Sequence, residues 1–154
     1  MSQQVEIVAV QPVILALAEL RLFPSEVPTK IRGLFDVVYL WLRTANVQQI
    51  GHNYAIYDQC TNGGMQMRAG FPVSARFPDD ESVKCVEFEA GRAAHIRHIG
   101  PYSKLNISYT NLVSWCAQEG YQTSGQSWEV YGDWHDDPSK LITDIYFRLQ
   151  CLPT

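Results

Sequence analysis

A shift of 74 residues lays this chain on itself, and that internal repeat limits the possible folds more than any other feature. At this offset Lys30 meets Lys104, Ile31 meets Leu105, Phe35 meets Tyr109, Val38 meets Leu112 and Trp41 meets Trp115. The match continues without a gap: Gln48 with Gln122, Gly51 with Gly125, Tyr54 with Trp128, Ile56 with Val130 and Tyr57 with Tyr131. A duplicated unit must therefore be folded twice.

Each copy carries the same local signals. Thr29 and Ser103 are placed to cap a helix at its start. Apolar residues then recur with mixed helical spacing: Leu34, Phe35, Val38 and Leu42 in one copy, Leu105, Tyr109, Leu112 and Trp115 in the other. Asn46 and Gly120 align and suit the left-handed conformation that ends a helix. Gly51 and Gly125 are expected in the turn to the next strand. Strand-like runs flank both units: 5–23 with a bulge or edge at Pro12, 65–77, 84–100 with a bulge or turn at Gly91, and 141–152. The order is β-α-β-β twice, with "PDDESV" (78–83) as the joint. These signals predict one α+β domain over 1–154, with halves at approximately 5–77 and 83–152. Two helices should cover one face of an antiparallel sheet, and a ligand groove should occupy the other.

One residue stands out from the repeat. In "GQSWEVYGDW" (125–134), alternation puts Glu129 and Tyr131 on one face of the strand and Trp128 and Val130 on the other. The apolar pair is expected under the helix, together with Ile145 and Phe147. Glu129, Tyr131 and Tyr146 are then expected on the groove face. The repeat supplies mates for Tyr131 (Tyr57) and Trp128 (Tyr54), but the mate of Glu129 is Ala55. The scaffold accounts for the aromatics and leaves the acid unexplained.

Several functions are disfavoured by what surrounds this strand. The net charge of −4 gives no basic face for nucleic acid and weakly favours a cationic ligand. The four cysteines show no CxxC spacing, so neither a zinc site nor a disulfide framework is expected. The N-terminus lacks the basic start of a secretory signal, and the most apolar run is too short and too broken to span a bilayer, so a cytoplasmic location is expected. His95 and His98, three apart on a strand, face opposite ways and cannot share a metal. His135, in "DWHDDPSK", reads as part of a solvated turn without calcium-loop spacing. No cofactor motif occurs.

The duplication, the segment "HIRHIGPYSKL" (95–105), the strand "SWEVYGD" (127–133) and the closing "TDIYFRL" (143–149) together resemble the GyrI-like, AraC-type effector-binding domains of bacteria. The resemblance covers approximately 5–152 and is similar to standalone members of the type carried on mobile gene cassettes. It implies an aromatic pocket around a buried glutamate that meets cationic lipophilic drugs, and that glutamate falls on Glu129. It also implies that related domains serve transcription regulation beside a DNA-binding unit. No room for such a unit is expected before residue 5, so direct nucleic-acid binding is not expected.

The expected ligand-binding set is therefore Glu129, Tyr131, Tyr57 and Tyr146, with Trp128 and Tyr54 as further candidates. A cation between a carboxylate and aromatic faces gains Coulomb energy and roughly 0.5–2 kcal/mol per cation–π contact. Capture of a cationic lipophilic molecule is favoured over catalysis. Two alternatives remain: a hydrolase of strained cyclopropane-bearing electrophiles with Glu129 as acid or base and Tyr131 or Trp128 orienting the substrate, and an inhibitor that contacts gyrase. A protein partner or a homodimer is also left open.

Overall fold

The computed structural model describes residues 3–151. The ends of the expected domain (1, 2 and 152–154) and of the closing strand (152) lie outside the described residues. The chain forms two compact units. The first spans Gln11–Glu89; the second combines the segment ending at Val10 with everything from Ala90 onward.

The first unit contains β2 (Val13–Leu22), α1 (Val27–Leu42), β3 (Tyr54–Gln59), β4 (Met65–Pro72) and β5 (Lys84–Phe88). Its antiparallel strands are ordered β3-β4-β2-β5. The second unit contains β1 (Val5–Val10), β6 (Gly91–Ile99), α2 (Leu105–Glu119), β7 (Thr123–Tyr131) and β8 (Ile142–Leu149). Its order is β1-β6-β8-β7, again antiparallel throughout. The α+β class and the duplicated units follow the sequence reading. The edge strands differ from it. β1, at the start of the first sequence half, pairs with β6, and β5, which opens the second, pairs with β2. Gln11 and Pro12 divide what reads as one long strand: proline has no N–H to continue a ladder, so the chain leaves its pairing with β6 there and pairs with β4 and β5 beyond it.

Each helix packs on one face of the strands of its own unit. Val38, fully buried, packs with Ala16, Ala18, Phe71 and Val73, and Trp41 and Leu42 close over them. Leu112, at the matching helix position, packs with Ala94, Ile96, Ile145 and Leu149. The tryptophans also match: Trp41 lies against Phe77 with ring centroids 4.5 Å apart, and Trp115 stacks on Tyr121 at 5.5 Å. The close approach of β2 and β4 requires Gly70, because a methyl there would meet the Ala16 carbonyl oxygen at 1.8 Å.

Local details depart from the expected caps and turns. Both helices are entered through a 3-10 turn, Pro24–Glu26 and Tyr102–Lys104, and neither uses a side-chain cap. Thr29 lies inside α1 and donates to the Glu26 carbonyl, while Ser103 lies within the turn before α2. Gly120 ends α2 in the left-handed region as expected (φ 77). α1 instead ends at Arg43 in a right-handed conformation, and Asn46 plays no part. Gly125 (φ 92) sits inside β7, where the register with β8 shifts between Thr123 and Ser127. It is a bulge glycine rather than a turn glycine.

Candidate functional site

The pairing of β7 with β8 decides which face each candidate residue occupies. Glu129 lies directly opposite Ile145, and Ile145 lies opposite Ile96 on β6. Side chains paired across antiparallel strands share a face, and Ile96 and Ile145 belong to the core beneath α2. Glu129 therefore points toward α2. Tyr131, two residues on, does the same. This reverses the sequence expectation that Glu129 and Tyr131 face away from the helix and Trp128 and Val130 face toward it. Ile145 and Phe147 are under the helix as expected.

The Glu129 side chain is held from both sides. The Tyr109 hydroxyl, from α2, donates to Oε2, and the Tyr131 hydroxyl, from its own strand, donates to Oε1. Glu129 is only 5% exposed. Burial pushes its carboxyl above the ordinary carboxylate range; the two tyrosine hydroxyls and the nearby His98 pull it back without cancelling the rise. Aromatic rings complete the surroundings. Phe147 lies 5.9 Å from Tyr109, and Tyr102 meets Tyr131 edge-on at 5.8 Å. Burial and the nearby Glu129 charge both raise the Tyr102 hydroxyl.

A second polar group adjoins the acid. His98 is buried and fully bonded: Nε2 donates to the Pro101 carbonyl at 3.0 Å, and Nδ1 accepts from the Ser108 hydroxyl at 2.7 Å. Ser108 in turn accepts from Gln3 Nε2 at 2.6 Å. This chain of bonds ties β6 to the first turns of α2. An open groove of about 750 Å³ runs between that helix and β1 and β6, lined by Val5, His98, Lys104, Ser108, Asn111 and Trp115 among others. Glu129 is not part of its wall.

The opposite face of the second unit gathers the other expected residues. Trp128 stacks on Tyr146 with centroids 5.2 Å apart, and the Arg148 guanidinium lies 5.1 Å over the Trp128 ring. His95 packs against Tyr146 and bonds Asp144 at 2.7 Å, and Arg97 also holds Asp144. Burial raises the Asp144 carboxyl, but His95 and Arg97 outweigh it and hold it below its usual range. Trp128 and Tyr146 are thus a pair, separated from Glu129 by the sheet. Tyr57 and Tyr54 belong to the first unit. Tyr57 sits on the α1 face in the row that starts at Leu20 and passes through Met67, as Tyr131 sits on the α2 face. Tyr54 packs edge-on against Phe88, and burial raises its hydroxyl.

The expected set thus separates into Glu129 with Tyr131, Trp128 with Tyr146, and two residues of the other unit. Tyr109, Tyr102 and His98 were not in the set. Tyr109 carried a usable signal: its repeat mate is Phe35, so it differs by one hydroxyl, and that hydroxyl reaches Glu129, whose own mate is Ala55. His95 and His98 face opposite ways as expected, and no group of three or more metal-ligating side chains occurs among the described residues. None of the described helices is long and apolar enough to cross a membrane.

Residues 3–150 match the GyrI-like small molecule binding domain. The chain belongs to the GyrI-like family. Its fold recurs in the crystal structure of the EcmrR C-terminal domain (TM-score 0.80, 16% identity, 99% of this chain and 100% of that one). It recurs in SAV2435 bound to tetraphenylphosphonium (TM-score 0.70, 14% identity, 97% and 94%). It is also found in an integron cassette protein from the mobile metagenome of Vibrio cholerae (TM-score 0.64, 13% identity, 96% and 97%). No curated protein matches significantly. At these identities the likeness is one of fold.

Proposed function

We propose that this GyrI-like domain captures cationic lipophilic molecules at Glu129, with Tyr109, Tyr131, Tyr102 and Phe147 as the aromatic surroundings. The observation that carries this reading is a buried carboxyl under α2, bonded by two tyrosine hydroxyls, at a position where the duplicated scaffold holds Ala55. Removing a carboxylate from water is costly unless a charge compensates it. Without such a charge, burial raises the carboxyl above its ordinary range. A bound cation relieves that cost, because its charge meets Glu129 while its apolar body meets rings. Tyr102, 41% exposed and edge-on to Tyr131, is the outermost ring of the cluster and the first that a ligand meets. The family's small-molecule binding and the tetraphenylphosphonium bound to SAV2435 support the same ligand class.

A thermal-shift series tests this directly. Tetraphenylphosphonium is compared with neutral triphenylphosphine oxide and anionic tetraphenylborate, which present similar rings with different charge. A ligand at a hundred times its Kd stabilises a fold by about 2.7 kcal/mol, or about 5–10 °C for a chain of this size. The cation alone should produce such a shift. An equal shift with the anion would contradict the reading.

A further inference from the structure

Thr143 Oγ1 is buried and has no hydrogen-bond partner among the described residues. Buried hydroxyls are nearly always satisfied, so this one calls for an explanation. Strand register shows where it lies. Thr143 pairs with His98 on one side and with Tyr131 on the other, so all three share the α2 face. Their row adjoins the row of Ile96, Ile145 and Glu129. The polar atoms on both sides are engaged: His98 with Ser108 and Pro101, and Tyr131 with Glu129. Thr143 Oγ1 is the polar side-chain atom of this row that has no partner among the described residues.

The fold does not ask for that hydroxyl. The corresponding row of the first unit is Leu20, Met67 and Tyr57, beside the row of Ala18, Ala69 and Ala55. Met67, in the place of Thr143, is fully buried. An apolar side chain therefore fills this position in the same scaffold, and a threonine there leaves an unmet hydrogen bond beside the acid.

We infer that Thr143 and Glu129 form a two-point site for lipophilic cations that carry N–H groups, such as protonated amines and amidines; this rests on the reading of Glu129 as the cation site. One N–H is donated to Thr143 Oγ1, and the charge lies against the carboxylate. Diagonal neighbours on adjacent antiparallel strands stand about 7–8 Å apart. That is a backbone spacing; the side chains extend from it, and two N–H···O bonds of about 2.9 Å from one ammonium or amidinium head join oxygens about 5 Å apart. Quaternary ammonium and phosphonium ions supply the charge but no N–H, and they engage Glu129 alone.

The test uses a matched pair of probes, biphenyl-4-ylmethylammonium and its N,N,N-trimethyl analogue, titrated calorimetrically at pH 7.5. Thr143→Val should lower the ratio of primary to trimethyl affinity roughly five- to tenfold, the loss expected for one hydrogen bond. The trimethyl ion should bind as it does to the wild type, and Thr143→Ser should restore the ratio. An unchanged ratio in Thr143→Val overturns the assignment. Thermal unfolding gives a second check. Thr143→Val should melt at or above the wild-type temperature, and a lower melting temperature would mean that the hydroxyl is bonded within the protein, which also overturns it. The two readings fail separately. If Glu129→Gln weakens neither ion, the cation site itself is wrong; if it weakens both while Thr143→Val leaves the ratio intact, only the role of Thr143 is wrong.

Discussion

The two units of this protein are one scaffold with two interiors. On the α1 side the residues at four matching positions are Leu34, Phe35, Ala55 and Met67. On the α2 side they are Ser108, Tyr109, Glu129 and Thr143. The packing around these positions agrees: Val38 and Leu112 are each fully buried at the same point of their helices, and Tyr57 and Tyr131 occupy the same place on their strands. The first unit shows what the fold needs, which is an apolar interior. The second shows what has been added to it. Polar groups in a core are destabilising unless each is partnered, and here one carboxyl remains raised by burial and one hydroxyl remains unmet. A duplicated domain thus contains its own control, and the difference between its halves coincides with the proposed site.

The largest effect is expected from converting one interior into the other. The double change Glu129→Ala with Tyr109→Phe installs the residues of the first unit. It should fold cooperatively, and affinity for tetraphenylphosphonium should drop by about a hundredfold or more, because the desolvated charge partner is gone. Unfolding of this variant, seen as a lost melting transition, would show that the two interiors are not interchangeable.

Proton competition should come next. Affinity for tetraphenylphosphonium should fall up to about tenfold per pH unit below the raised pKa of Glu129, because there the carboxyl is neutral. Stability runs the other way. The folded state holds this proton more tightly than the unfolded chain, so its contribution is fully present below the ordinary value of 4.5 and is lost as pH rises toward the folded pKa. Glu129→Gln should therefore melt about 2–5 °C above the wild type at pH 8, with the gap closing near pH 4. A gap independent of pH would separate the stability effect from the carboxyl's ionisation.

A smaller effect is expected from Tyr109→Phe alone, which removes one donor to Glu129. Cation affinity at pH 7 should weaken by roughly three- to tenfold, the value of one charge-assisted hydrogen bond. The acid limb of the affinity profile should move to higher pH. The smallest effect is expected from Tyr146→Phe. Its ring lies on the other face with Trp128, so titration should return an affinity within about twofold of the wild type, the change expected away from the site.

The fold was legible because a repeat is a comparison the sequence makes with itself. Val38 with Leu112 and Trp41 with Trp115 are structural equivalents, as their alignment suggested. The faces of β7 were less legible. Alternation divides Trp128 and Val130 from Glu129 and Tyr131, but it does not say which set meets the helix. Hydrophobicity pointed to Trp128, yet Trp128 and Glu129 are 3% and 5% exposed. When both faces of a strand are buried, the polarity of a side chain no longer reports its direction. The exchange of β1 and β5 was hidden for a different reason: strand pairing joins residues distant in sequence, and only Pro12 marked the break. The mismatch of Glu129 with Ala55 was readable in the sequence, whereas the Tyr109 hydroxyl that holds Glu129 required the helix to be placed.

The central claim is that Glu129, the acid the fold does not require, is the group that holds a cation. Calorimetric titration of tetraphenylphosphonium into the wild type and Glu129→Gln at pH 8 tests it most directly. The two side chains have nearly the same shape, so packing is retained while the charge is removed. Affinity at least tenfold weaker in Glu129→Gln is the predicted result, corresponding to about 1.4 kcal/mol or more; equal affinity in the two proteins would contradict the claim.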